Sequence, residues 1–173
     1  MNLNNLVQAA IFAAMAIGLG FMFLLVPNLE FISVTVFLAG FTLGIGYGGM
    51  VGGTAILIYS VMNPLGSGLI YLTLLAGQIL AMAGIGIVGS FSKRLLKNET
   101  SFYRIGMAGG LGFLCTLWYD GITTLAYPIS AGYTWDEAMA YAISGLLFTF
   151  MHLISNTVIF SVVVPGYLNR LSQ

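Results

Sequence analysis

The residue with the clearest capacity for chemistry is Asp120, at the centre of the apolar stretch TLWYDGITTLAYP. A carboxylate in the middle of a membrane helix costs about 2.5–3.5 kcal/mol to insert, so it normally faces protein or water and marks a functional site. Thr116 and Thr124 lie one helical turn before and after it and share its face of a helix. We predict a ligand-binding site here, against the alternative that a protonated Asp120 only hydrogen-bonds a neighbouring helix.

Two aromatic residues directly precede this carboxylate. Trp118 and Tyr119 lie too far from the end of the segment to belong to the aromatic belt of a membrane interface. Pockets for small molecules combine apolar and aromatic walls with a few placed polar groups. We therefore predict that the two rings stack on a flat ligand whose polar edge binds Asp120.

Other polar side chains are candidates for the same site. Gln78 lies inside another apolar segment, and His152 and Asn156 share one face of a further helix. A core histidine without ligand explains His152 equally well, and the position of Asn156 favours a structural role. Two loops contribute three more candidates: Asn28, Glu30 and Asn63. Turn chemistry explains the two asparagines, each next to a proline, as well as ligand binding does.

The composition shows which elements must position these residues. Of the 173 residues, 59% are hydrophobic and 6% are charged, whereas a soluble domain carries about 25% charged residues. So few charges cannot cover a folded surface against water, which predicts an all-α integral membrane protein with a single transmembrane domain over residues 1–173. The net charge of +0 gives no indication of a nucleic acid partner. One Cys and one His exclude ordinary zinc chemistry, so we expect no metal and no cofactor.

Six apolar segments predict a bundle of six transmembrane helices, because a spanning helix needs roughly 20 mostly apolar residues. The predicted helices cover residues 6–26, 31–43, 47–62, 69–91, 105–127 and 135–164. The second and third are short and also fit one broken hairpin. The last is predicted to stop at Pro165.

The basic residues predict the orientation. Lys93, Arg94, Lys97 and Arg104 cluster in one loop, and Arg170 follows the last helix. The positive-inside rule makes both regions cytoplasmic, and six spans then place the N- and C-termini inside. The outward loops contain no Lys or Arg. A polyanionic ligand is therefore disfavoured at the outer side, and a neutral or cationic ligand is favoured.

A stripe of small residues follows the first helix near its cytoplasmic end. It consists of Ala9, Ala10, Ala13 and Ala14, with Gly18 further along. Small residues allow helices to approach closely in lipid. Internal packing and docking of a partner helix explain the stripe equally well.

Two other function classes remain as alternatives. A self-sufficient small transporter or channel would use Asp120, with His152, for proton or cation coupling and would need no partner subunits. An intramembrane hydrolase needs a nucleophile and a base in hydrogen-bond contact, but Ser144 and His152 are about 12 Å apart along one helix. We therefore expect no enzyme activity. A purely structural scaffold leaves the deep polar residues without a purpose.

The layout resembles the substrate-binding S components of energy-coupling factor (ECF) transporters, which have six helices and both termini inside. The resemblance rests on the pairs Ala9/Ala13 and Ala10/Ala14 and on the segment VPNLEFISVTVFLAGFTLGIGYGGMVGG. This segment is similar to the first outer loop and the glycine-rich second and third helices of several S components.

The resemblance implies a function in the plasma membrane of a prokaryote. S components capture a vitamin or similar micronutrient near the outer face, and the loops at residues 26–31 and 62–68 would help to close such a pocket. The alanine stripe would dock on the transmembrane coupling subunit, which two ATPase subunits drive. This chain contains no G-x-x-x-x-G-K-[ST] motif, so ATP hydrolysis would come from those partners. The substrate stays open between thiamine-like compounds, cobalamin and deazaguanine-type bases.

Overall fold

The chain is a bundle of α-helices, seen in a computed structural model that describes residues 2–97 and 100–171. The described part contains seven α-helices and one short 3-10 helix, Gly68–Ile70, and no strand. The α-helices are α1 (Leu3–Met22), α2 (Ile32–Leu43), α3 (Ile45–Met62), α4 (Leu72–Phe91), α5 (Lys93–Lys97), α6 (Ser101–Ala131) and α7 (Trp135–Leu171). The prediction of an all-α fold is confirmed.

Four helices of the described chain, α1, α3, α4 and α7, are long and apolar enough to cross a membrane. These helices are consistent with the membrane protein that the composition predicts. Helix α2 is apolar but has only 12 residues. Helix α6 has 31 residues and carries Asp120 near its middle.

The boundary predicted at Pro165 is wrong, because Pro165 lies inside α7, which continues to Leu171. Pro128 likewise lies inside α6. A proline removes one backbone hydrogen bond, but membrane helices tolerate this when neighbouring helices and local adjustments satisfy the freed carbonyl. Both prolines lie within the last two turns of long helices, and Pro165 is buried.

Helix α2 forms the centre of the bundle. Ten of its 12 residues, Ile32 to Phe41, are buried, because α1, α3, α4 and α7 all pack around it. A helix surrounded by protein needs no amphipathic stripe, which explains why its sequence is apolar on every side. Gly44, with φ of 94°, turns the chain directly into α3. That backbone conformation is one that side chains other than glycine rarely adopt.

Helices α2, α3 and α4 approach each other through glycine. A Cβ atom on Gly48 would lie 2.5 Å from the carbonyl oxygen of Gly86 and 2.6 Å from the Cα of Gly40. Contacts of this kind replace the hydrophobic driving force that lipid does not provide between helices.

We therefore expect Gly48→Ala to destabilise the bundle by about 1–3 kcal/mol, the usual cost of overpacking. Gly46→Ala is the matched control, since a Cβ atom there meets nothing within 4 Å and an alanine gains helix propensity. Thermal unfolding of the detergent-purified protein measures both. Equal melting temperatures for the two variants would contradict the close-packing role of Gly48.

The bundle has one basic end. Arg104, at the start of α6, donates to the carbonyl of Leu96 at 3.1 Å and to Asn169 of α7 at 2.8 Å. Lys93 lies over the ring of Phe41, near the end of α2. These contacts bring Lys93 and Arg104 to one end of the bundle, which is called the basic end below. The loops at residues 23–31, 63–71 and 132–134 lie at the opposite end.

Candidate functional site

A polar cluster joins α6, α7 and the loop that precedes α2. Nδ1 of His152 lies 2.9 and 3.1 Å from the two carboxylate oxygens of Asp120. Nε2 of the same ring lies 3.0 Å from Nδ2 of Asn156 and 3.9 Å from Oε1 of Glu30. Nδ2 of Asn156 donates to that Glu30 oxygen at 3.0 Å. The imidazole therefore lies between two carboxylates that come from distant parts of the sequence.

The loop after α1 brings Glu30 to the cluster. Asn28 adopts a positive φ of 58°, a conformation that asparagine tolerates better than most residues. Oε2 of Glu30 then accepts from the backbone N–H of Ser33 at 2.9 Å. A carboxylate at this position satisfies an unpaired N–H group in the first turn of α2 and interacts favourably with the helix dipole. Glu30 thus accepts a hydrogen bond from the first turn of α2 and also contacts side chains of α7.

The cluster is largely shielded from solvent. The exposed fractions of the side chains are 13% for Asp120, 15% for His152 and 23% for Glu30, and Asn156 is completely buried. In such surroundings, charged groups depend on their neighbours because burial weakens their hydration. Nδ2 of Asn156 can only donate, so its contact with Nε2 makes that nitrogen the acceptor and places the imidazole N–H on Nδ1, facing Asp120.

A cavity of about 180 Å³ opens beside this cluster between α6, α7 and the loop after α1. Its lining residues are Asn28, Asp120, Thr124, Tyr141, Gly145, Phe148, Thr149 and His152. The buried Nδ2 atom of Asn28 has no hydrogen-bond partner in the described protein. The cavity therefore combines a carboxylate acceptor, an amide donor and two aromatic side chains.

A second cavity, of about 160 Å³, contains two other predicted residues, Gln78 and Asn63. Gln78 accepts a hydrogen bond from Ser60 at 2.7 Å. The side chain of Asn63 accepts from the backbone N–H of Leu65 at 2.9 Å, which is turn chemistry. Tyr119 lines neither cavity, contrary to the predicted stacking role; it lies next to Gln78 and near the charges of Glu30 and Asp120.

The structure does not bring Trp118 and Thr116 into the cavity beside Asp120. The Trp118 side chain is 53% exposed, and its indole N–H donates to the carbonyl of Ala81 on α4 at 3.3 Å. Thr116 is completely buried and donates to the carbonyl of Gly112 on its own helix. The aromatic side chains that line the cavity are Tyr141 and Phe148.

The α7 residues Tyr141, Gly145, Phe148 and Thr149 are the ones that sequence reasoning missed. Tyr141, Gly145, Phe148 and His152 are three or four residues apart and share one face of α7, and Thr149 follows Phe148 directly on the same side. That periodicity is present in the sequence. Tracing the face N-terminal from His152 is the signal that would have found them.

The alanine stripe divides between two faces of α1. Ala9 is buried and Ala13 is partly buried, so this pair packs against the bundle. Ala10 and Ala14 are exposed. Only the second pair is available to a partner helix.

The chemistry of the cluster suits binding and proton transfer. Within the described ranges, no group of three His, Cys, Asp or Glu side chains is arranged to hold a metal ion. The hydroxyl of Ser144 donates to the carbonyl of Tyr141 on its own helix, at 2.8 Å.

No family model matches the chain, and no curated protein or solved structure shows significant similarity to it.

Proposed function

We propose that this chain is the substrate-capture subunit of an ATP-driven importer of the ECF type, in the plasma membrane of a prokaryote. It would bind a small neutral or cationic, ring-containing nutrient such as a vitamin. The observation that carries the proposal is the Asp120–His152–Glu30 cluster beside a cavity, inside a bundle of membrane helices. Ionisable groups are costly to place in a membrane, and those that are kept there usually serve binding or transport.

The proposed topology has six membrane crossings, with both termini on the cytoplasmic side. Four helices meet the length and hydropathy of a span. Helix α6 has 31 residues and is about 46 Å long, so we propose that it crosses the membrane although it carries Asp120. The short helix α2, surrounded by other helices, would cross together with the loop that precedes it. The basic end then faces the cytoplasm, and the cavity lies in the outer half.

The charge and shape of the cavity support a neutral or cationic ligand. The lining contains Asp120 and His152 but no Lys or Arg. A ligand ammonium or N–H group therefore has an acceptor, whereas the basic side chain of the lining, His152, is already paired with Asp120. Nδ2 of Asn28 can donate to a carbonyl or ring nitrogen of the ligand. Tyr141 and Phe148 provide the apolar walls that a ring needs.

The proposed partners are a transmembrane coupling subunit and two ATPase subunits. The exposed pair Ala10 and Ala14 on α1 supports docking, because small residues let a partner helix approach the backbone. The exposed apolar side chains of Ile11 and Met15 flank this pair. Such a surface suits a helix of another membrane protein.

Ala14→Leu is expected to reduce assembly with the coupling subunit at least tenfold while ligand binding stays unchanged. A leucine side chain would separate the two helix backbones and remove the close contact. Ala140→Leu, at an exposed alanine of α7, is the matched control. Co-purification of the tagged chain with its partners measures the effect. Full assembly of the Ala14 variant would rule out this docking face.

A self-sufficient proton-coupled carrier is the second candidate, and the position of His152 between two carboxylates favours it. Uptake in proteoliposomes separates the two functions. We expect the purified chain alone to bind ligand without transporting it, and transport to appear only with the coupling subunit, the ATPases and ATP. Uptake driven by a proton gradient in vesicles that contain this chain alone would establish the carrier instead.

A further inference from the structure

A groove at the basic end has no role in substrate capture. It has a volume of about 390 Å³ and lies where α2, α5, α6 and α7 meet. Its lining includes Phe41, Lys93, Leu96, Arg104, Leu168 and Leu171. The groove therefore combines a strongly apolar surface with two cations.

The two cations are held differently. The Arg104 guanidinium is fixed by hydrogen bonds to the carbonyl of Leu96 at 3.1 Å and to Asn169 at 2.8 Å. The Lys93 side chain is exposed, and its ammonium lies 6.0 Å from the centre of the Phe41 ring. Among the residues with described positions, no carboxylate forms an ion pair with Lys93. The groove thus presents one fixed and one adjustable positive charge.

The apolar part of the groove continues from the protein interior to its surface. Phe41, Leu96 and Leu168 are buried and form the floor, whereas the Leu171 side chain is 58% exposed at the edge. The groove lies at the ends of membrane helices, where lipid headgroups meet acyl chains. A ligand that fits both parts has a negatively charged head and an apolar tail.

We propose that this groove binds an anionic phospholipid. The headgroup phosphate would lie between Lys93 and Arg104, and the part of an acyl chain nearest the headgroup would contact Leu171. Basic pockets between membrane helices recognise anionic headgroups in this way. A zwitterionic phospholipid carries a compensating positive charge and gains less from the two cations. The proposal requires that the helices span a membrane but does not depend on the substrate or on the importer.

Native mass spectrometry of the detergent-purified protein, titrated with equal amounts of phosphatidylglycerol and phosphatidylcholine, tests it. We expect about fivefold more bound phosphatidylglycerol, the preference that one cation near a headgroup provides. Lys93→Gln is expected to remove most of this preference. Arg94→Gln is the matched control, because this exposed neighbour does not line the groove, and it should leave the preference intact.

Several results would overturn the assignment. Equal binding of both lipids by the unmodified protein excludes an anionic lipid site. An equal loss in the Lys93 and Arg94 variants indicates a general charge effect. Displacement of the lipid by the same concentration of glycerol phosphate assigns the groove to a free phosphate ester. If Lys93→Gln prevents assembly with partner subunits while lipid binding is unchanged, the groove belongs to a protein partner.

Discussion

Replacing Asp120 by asparagine is expected to weaken the binding of a cationic ligand by about 1.5–3 kcal/mol, which is roughly 10- to 150-fold in affinity. The substitution keeps the size of the side chain and removes the charge that would pair with the ligand. It also replaces one of the two carboxylate oxygens near Nδ1 of His152 with an amide NH2 group. Equilibrium binding to the detergent-purified protein measures the change.

Asp136→Asn is the matched control for this experiment. Asp136 is a carboxylate in the first turn of α7, exposed and outside the cavity. Its substitution removes the same charge outside the cavity. It should change the ligand affinity by less than about twofold, since water and salt screen exposed charges. Equal affinities for the Asp120 variant and the unmodified protein would assign Asp120 a structural role only.

The second large effect is expected from Glu30→Gln, which should lower the free energy of unfolding by about 2–4 kcal/mol. Both carboxylate oxygens of Glu30 are used, one by the N–H of Ser33 and the other by the amide of Asn156. A glutamine has only one acceptor oxygen, so its NH2 group would face one of these donors. A buried donor without an acceptor costs about 1–3 kcal/mol, and the lost charge adds to this cost.

Glu137→Gln provides a closely matched comparison. Glu137 also accepts a backbone N–H at the start of a helix, from Thr134 at 2.7 Å, but it is exposed. Water can replace its lost hydrogen bond, so we expect a loss below about 1 kcal/mol. Thermal unfolding in detergent measures both variants. If the two variants lose the same stability, Glu30 does not hold α2 and α7 together.

The helices of the fold were predictable because a membrane-spanning helix requires an apolar segment of characteristic length, which is visible in the sequence. Each of the six predicted segments overlaps one α-helix of the structure, with ends that differ by up to about seven residues, although α2 has only 12 residues. The largest error is at Pro165, where the sequence rule for soluble helices does not hold in apolar surroundings. The centrality of α2 was not predicted, because its short apolar sequence is compatible with both a buried helix and half of a hairpin.

The components of the site were easier to predict than their arrangement. Asp120 and His152 were identified as polar residues within apolar segments, and Glu30 as a candidate in a loop. The hydrogen bond that joins Glu30 to Asn156, next to His152, connects residues 126 positions apart. Hydropathy and residue spacing in a single sequence do not reveal which helix faces contact each other. The position of Trp118 is different, because residues two positions apart do not share a helical face. That spacing alone indicates that Trp118 points away from Asp120.

The most direct test of a substrate-capture function is mass spectrometry of small molecules released by denaturing the purified protein, after expression in rich medium and incubation with an extract of that medium. We expect one ring-containing, neutral or cationic compound in stoichiometric amount from the unmodified protein and a strongly reduced amount from Asp120→Asn. The contradicting result is a protein that releases no such compound, or one whose bound compound is anionic and retained equally by the Asp120 variant.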